Sequence, residues 1–209
     1  MGRSVAVPFV LWVEVGSFCV AKSESNAEKN AEVILELARL TEVKLNPPAT
    51  ELEIKEAEKE LGFDLPKEIK QYLRLFNGEV SNSSDKVLGM IAGGTLHSTD
   101  QIVEWYKFCQ DELPNWNLQS DCKRLGKTEK SMRNWIPITW GYDLEFLFFD
   151  NSHPKQDGGT GCHGQIFLSS PVSCGTCVVG ENLANVLERI KASLSVTEDE
   201  EIEWDLTGI

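Results

Sequence analysis

Residues Thr50 to Gly78 read Thr-Glu-Leu-Glu-Ile-Lys-Glu-Ala-Glu-Lys-Glu-Leu-Gly-Phe-Asp-Leu-Pro-Lys-Glu-Ile-Lys-Gln-Tyr-Leu-Arg-Leu-Phe-Asn-Gly, and they spell two helices with their punctuation. Thr50 followed by Glu53 is a capping box: the hydroxyl accepts a first-turn amide while the glutamate reaches back to the Thr50 amide. The first helix therefore starts at Glu51. Ile54, Ala57, Glu58 and Leu61 recur at i, i+3, i+4 and i+7, which makes one narrow, mostly apolar stripe opposite a charged face. Gly62 ends the helix in a left-handed cap. Pro66 suits the first turn of the next helix, where its missing N–H would have had no partner. Ile69, Tyr72, Leu73 and Phe76 form the buried face of that second helix. Lys67, Glu68, Lys70, Gln71 and Arg74 face water, with Glu68 and Lys70 read as solvation only, and Asn77-Gly78 supplies the stop.

The same residues carry a resemblance. An apolar and glutamate-rich helix, then Leu65-Pro66, then Ile69-x-x-Tyr72-Leu73-x-x-Phe76-Asn77-Gly78, resembles the opening of the Smi/Knr cell-wall-assembly domain of the SUKH superfamily. Trp135-Ile136-Pro137-Ile138, the apolar run closing at Asp150 and Gly164-Gln165-Ile166-Phe167 resemble its second half. The likeness covers residues 33 to 195. It implies a curved sheet with helices before, between and after the strands. It also implies a non-catalytic role: similar bacterial proteins are immunity factors that dock on a cognate toxin, often a nuclease. Fungal relatives are linked to cell-wall synthesis and signalling. The chain departs from the family pattern in an apolar extension before Ala21, an insertion around Asn115 to Arg133, and a central turn reduced to Gly141-Tyr142-Asp143.

Upstream of Thr50, Asn46-Pro47-Pro48 breaks the chain. Before that break, Asn26 is placed to cap a helix over Ala27 to Leu40 whose inward face is Val33, Ile34, Leu37, Ala38 and Leu40. Lys22 to Asn30 is polar and linker-like. Val5 to Ala21 is apolar but interrupted by Pro8, Glu14 and Gly16. Arg3 and Ala21 partly fit a secretory signal, whereas Glu14 at its centre does not. We read the segment as an added strand or a loosely attached extension.

Downstream of Gly78, Val87 to Ile91 and Thr95 to Leu96 read as short strands around Gly93-Gly94, a turn or bulge with no P-loop lysine after it. Ser98 or Thr99 caps a helix from Asp100 to Glu112 with Ile102, Val103, Trp105, Tyr106 and Cys109 on its apolar side. Pro114 ends it, and Asn115 to Arg133 reads as a polar surface loop. From Asn134 the period becomes that of strands. Trp135 to Trp140 and Leu144 to Phe149 form a hairpin about Gly141-Tyr142-Asp143. His163 to Leu168 and Pro171 to Val179 follow as further strands. Asn182 opens a last amphipathic helix with Leu183, Val186, Leu187 and Ile190 facing in. Strands joined by short turns give an antiparallel sheet. The expected architecture is α+β: a curved, mostly antiparallel sheet with helices packed on one face. The expected division is an extension and linker over 1–26, one domain over 27–195 and an acidic tail over 196–209.

Thirty-three acidic and twenty basic residues give a net charge of −13, which argues against nucleic acid, whose phosphates need a basic face. A basic protein partner fits better. Six cysteines in 209 residues are too few for a disulfide-built scaffold. Reduced thiols in a cytoplasmic protein are the simplest account. No apolar run reaches the roughly 20 residues of a membrane span.

Enzymatic signatures are lacking. His97, His153 and His163 fall in no zinc-hydrolase spacing, and no Gly-x-Ser-x-Gly elbow is present. Cys174-Gly-Thr-Cys177 with Cys162-His163 offers three thiolates and an imidazole, a weak zinc candidate, and the pair alone a redox candidate. Idle or buried thiols account for them as well, so no cofactor is expected. Asp143, Glu145 and Asp150 bracket the central hairpin. Paired acids in a cleft can serve as general acid and base, but alternation puts Asp143 and Glu145 on one strand face opposite Leu144 and Phe146, where they bound a solvated edge. Asp150 matches the aspartate that closes this strand in the resembling family, read as capping the next turn or lining a recognition groove. Trp105, Trp135, Trp140 and Tyr142 are candidates for an exposed hot-spot patch, although most of them belong to the core. Trp140 and Tyr142, beside Asp143 and Glu145, combine an aromatic anchor with acidic complementarity. The reading is a protein-binding domain of the immunity type, with a cell-wall or signalling scaffold and a zinc or redox protein as alternatives.

Overall fold

The computed structural model describes residues 26–80, 94–112, 128–141, 146–152, 163–170 and 175–194. In chain order these form α1 (Asn26–Leu40), α2 (Glu51–Leu61), α3 (Lys67–Leu73), β1 (Thr95–Leu96), α4 (Thr99–Glu112), a 3-10 helix (Glu129–Asn134), β2 (Trp135–Trp140), β3 (Phe146–Asp150), β4 (Ile166–Ser170), β5 (Gly175–Gly180) and α5 (Leu183–Leu194). Among the described residues, no helix is long and apolar enough to cross a membrane.

The capping box of α2 is present in both directions: Thr50 Oγ1 accepts the Glu53 amide at 3.2 Å, and Glu53 Oε2 accepts the Thr50 amide at 2.6 Å. Ile54, Ala57 and Leu61 are buried as the stripe requires, and Gly62 closes the helix at φ +80°. Glu58, the polar member of that stripe, has a purpose that periodicity does not reveal. Its Oε1 accepts the Leu65 amide and the Lys70 ammonium, each at 2.9 Å, and so ties α2 to the start of α3. Lys70 is therefore more than a solvated charge. Arg74 likewise pairs with Glu51 at 2.6 Å.

The expected stop at Asn77-Gly78 is displaced, because α3 ends at Leu73 with Arg74 as its cap. The freed carbonyls are taken up by other amides: Ala49 donates to Leu73 at 2.8 Å, and Phe76 donates to Tyr72 at 2.8 Å. Asn77 and Gly78 serve the next elements instead. Asn77 Oδ1 accepts the Thr99 amide at 2.8 Å, at the start of α4. Gly78 adopts φ +73° against the backbone of Leu96, His97 and Ser98, where a built Cβ would meet Ser98 N at 2.4 Å. Only glycine fits there. Ser98 and Gln101 make a second reciprocal cap, Gln101 Oε1 accepting the Ser98 amide at 2.9 Å and Ser98 Oγ the Gln101 amide at 3.3 Å.

The strands form one open antiparallel sheet in the order β1-β2-β3-β4-β5. This is the expected α+β architecture. Boundaries shift at β4, which starts at Ile166 because Gly164 turns the chain at φ +86° and donates its amide to Asp150 O at 2.8 Å. The 3-10 helix occupies the end of the segment read as a surface loop. The proposed strand Val87 to Ile91 lies outside the described residues.

Directly paired residues share a face. Ile136, Ile138, Leu147, Phe149 and Ile166 join the cluster built on α1 to α5, with Val33, Ile34, Leu37, Ile54, Ile69, Leu73, Ile102, Leu183 and Leu187 among its members. Trp135, Phe146, Phe148 and Phe167 project from the other face into a second, aromatic cluster that Cys109 of α4 completes. The central strand β3 is consequently buried along its whole length. Each such side chain withdrawn from water contributes about 1.5–3 kcal/mol.

Candidate partner-binding surface

Trp140 closes β2 directly opposite Phe146, which opens β3. Strict alternation from Trp135 would turn Trp140 to the opposite face. The register shift between Pro137 and Thr139 inserts one extra residue and returns Trp140 to the aromatic side. There it stacks on Trp105 of α4, with centroids 5.4 Å apart and 14° between planes. Trp105 also stacks on the His97 imidazole at 6.3 Å and 11°. Phe108 and Phe146 meet Trp105 edge-on at 5.5 and 5.4 Å. Aromatic pairs of this kind contribute about 0.5–1.5 kcal/mol each beyond burial. Trp140 stays partly exposed, and its buried Nε1 meets no acceptor among the described residues.

Tyr142, Asp143 and Glu145 lie in the link from β2 to β3, outside the described residues. Asp150, at the far end of β3, is wholly buried. Its Oδ1 accepts the Ser152 amide at 2.9 Å and the Ser152 hydroxyl at 2.5 Å, and its own amide donates to Gln165 O at 2.9 Å. This is the turn-capping role; burial turns its carboxylate away from any solvent-exposed groove.

The family-motif residues are structural in position. Leu65, Tyr72 and Leu73 are in the helix-backed core, Pro66 precedes α3, and Trp135 is a fully buried member of the aromatic cluster. Tyr72 donates its hydroxyl to His97 O at 3.2 Å, and burial pushes its phenol pKa upward. Pro137 supplies the carbonyl that His97 Nδ1 approaches at 3.2 Å. A carbonyl only accepts, so this contact places the proton on Nδ1. Burial is the main reason that the His97 imidazole is pushed down to about 4, with the Pro137 carbonyl acting weakly the other way. The Cys109 thiol is pushed up to about 12 by burial.

Cys162 and Cys174 of the metal candidate lie outside the described residues. His163 is exposed, its Nδ1 donating to Ser152 O at 3.3 Å, and Cys177 sits in β5 opposite Leu168. Among the described residues, no group of three or more His, Cys, Asp or Glu side chains is placed to hold a metal ion.

The ring column His97–Trp105–Trp140 is the feature that the sequence reading missed. His97 enters that reading only through histidine spacing, and Trp105 only as a helix-face residue and a candidate member of an exposed aromatic patch. The one local signal was the position of His97 immediately before the Ser98 cap.

An open five-stranded antiparallel meander, backed by a capped helix pair and closed by an amphipathic helix, defines a SUKH-type α+β domain. The chain belongs to the SMI1 / KNR4 family (SUKH-1), whose family model matches residues 48–188. SUKH domains act through contacts with other proteins. No curated protein matches the chain. The matched span starts after α1, yet α1 packs on α3 and α5 and contributes Val33, Ile34, Leu37 and Ala38 to the helix-backed core.

Proposed function

We propose that this chain is a non-catalytic immunity-type protein that neutralises a basic, nuclease-type toxin by docking on it. The observation that carries the reading is the end of the β2–β3 hairpin. A partly exposed tryptophan, Trp140, is seated there on a rigid aromatic base, and Tyr142, Asp143 and Glu145 follow it in sequence. Tryptophan and tyrosine supply much of the binding energy at protein interfaces when a firm support fixes their rotamers. Carboxylates beside them steer and select a cationic partner, and the net charge of −13 extends that attraction over the whole molecule. Neutralisation is steric and electrostatic occlusion of the toxin's substrate-binding face. We place the protein in the cytoplasm, where such a toxin would act.

The test is a pull-down from the native host at low and then high salt, with the captured proteins identified by mass. The expected product is one basic protein at near-equal stoichiometry, loosened by salt and lost on Asp143→Lys/Glu145→Lys substitution. Recovery of wall-synthesis or signalling components in its place would reject the immunity reading.

A further inference from the structure

His97 sits where four parts of the fold meet. Its amide donates to Ile138 O at 3.0 Å, its carbonyl accepts from Tyr72 at 3.2 Å, and its Nδ1 faces Pro137 O at 3.2 Å. Gly78 packs its backbone against the His97 carbonyl carbon, and Trp105 covers the imidazole ring. The residue is 1% exposed. Its Nε2 is buried and has no hydrogen-bond partner among the described residues. A proton on Nε2 would add a donor without an acceptor and a charge without a counterion, each costly in an apolar layer.

Among the described residues, no carboxylate is hydrogen-bonded to the imidazole. Titratable Tyr72 faces His97 from α3, and Glu79, in the segment before β1, accepts the Leu96 amide at 2.9 Å. From β2 the neighbours are Pro137, Ile138 and Trp140. On α4, Cys109 lies in the same layer, while Asp100, Glu104, Lys107 and Asp111 are exposed and Glu112 is partly so at the far end.

We propose that His97 is an acid-sensitive latch: its protonation breaks the His97–Trp105–Trp140 column, loosens α4 from β2 and unseats Trp140. The last step gives regulation to the docking surface proposed above and rests on that reading; the latch itself does not. Acid would weaken binding by disordering the tryptophan anchor. Because the folded imidazole resists protonation until about pH 4, against an ordinary value of 6.5, the opened state gains about tenfold in population per pH unit between those values.

Hydrogen exchange of the full chain tests this without any partner. Protection of the α4 amides, corrected for intrinsic rates and expressed relative to α2, should fall about tenfold from pH 6 to pH 5. The drop should survive His153→Gln/His163→Gln and vanish in His97→Phe, which keeps a ring against Trp105 but carries no ionisable nitrogen. A constant α4-to-α2 ratio in the wild type overturns the latch, as does an equal drop in His97→Phe. Should His97→Phe fail to fold, NMR titration of the wild-type His97 ring decides. Protonation tracking the fall in α4 protection supports the latch, and independence of the two overturns it. Loss of toxin capture by Asp143→Lys/Glu145→Lys, which leaves the column untouched, reports on the docking surface alone, so the two proposals fail separately.

Discussion

The cluster beneath the helices and the cluster on the opposite face of the sheet are built from different material. The first is mostly aliphatic and drawn from all five α-helices and the sheet, whereas the second is a set of rings around Cys109. Their polar groups differ as well. Around the helix-backed cluster, Glu58, Asn46 and Asn77 bind neighbouring backbone groups. The buried nitrogens without partners among the described residues are His97 Nε2, Gln110 Nε2, Trp135 Nε1 and Trp140 Nε1. Each belongs to the aromatic layer, touches it or adjoins it on α4. Burying a polar group without a partner costs about 1–3 kcal/mol. The helix-backed side therefore has its flanking polar groups paired, and the aromatic side carries buried nitrogens unpaired among the described residues, beside the partly buried Trp105, Phe108 and Trp140.

The largest effect expected from this division is at Leu73. Leu73→Ala should cost about 2–5 kcal/mol by the urea midpoint, because the residue is fully buried among α1, α3 and the sheet. Trp140→Ala, although it removes more atoms, should cost less, and equal losses would erase the distinction. Acid should come next. A group whose folded pKa is depressed to about 4 from an ordinary 6.5 leaves stability intact above 6.5 and removes it as pH falls towards 4, by about 3 kcal/mol in all. His97→Phe should flatten that slope in a pH series of denaturant melts, and an unchanged slope would place the acid sensitivity elsewhere. Glu58→Met strips the Leu65 amide of its acceptor and should cost about 1–3 kcal/mol. Thr50→Ala, at an exposed cap, should cost about 1 kcal/mol in the same melts.

How much of this was legible in the sequence follows the same division. Caps, the Gly62 turn and the stripes of α2, α4 and α5 are local chemistry, and the sequence displays them directly. The length of α3 was hidden because Ala49, distant in sequence, takes the Leu73 carbonyl. Asn77-Gly78 resembles a helix stop while in fact serving β1 and α4, a role that only tertiary contact creates. The face occupied by Trp140 was illegible for a sharper reason. One inserted residue between Pro137 and Thr139 reverses the parity on which any strand reading depends. Asp150 shows the opposite case, since the resemblance already implied an aspartate closing this strand, with capping of the next turn as one of its two readings.

The most direct test of the central claim is growth of cells that express the captured basic protein, with and without this chain supplied alongside. The account predicts that the captured protein arrests growth alone, that the wild-type chain restores growth, and that Trp140→Ala or Asp143→Lys/Glu145→Lys abolishes rescue while remaining folded. Full rescue by those folded variants would contradict it, because neutralisation would then not depend on the aromatic and acidic end of the β2–β3 hairpin.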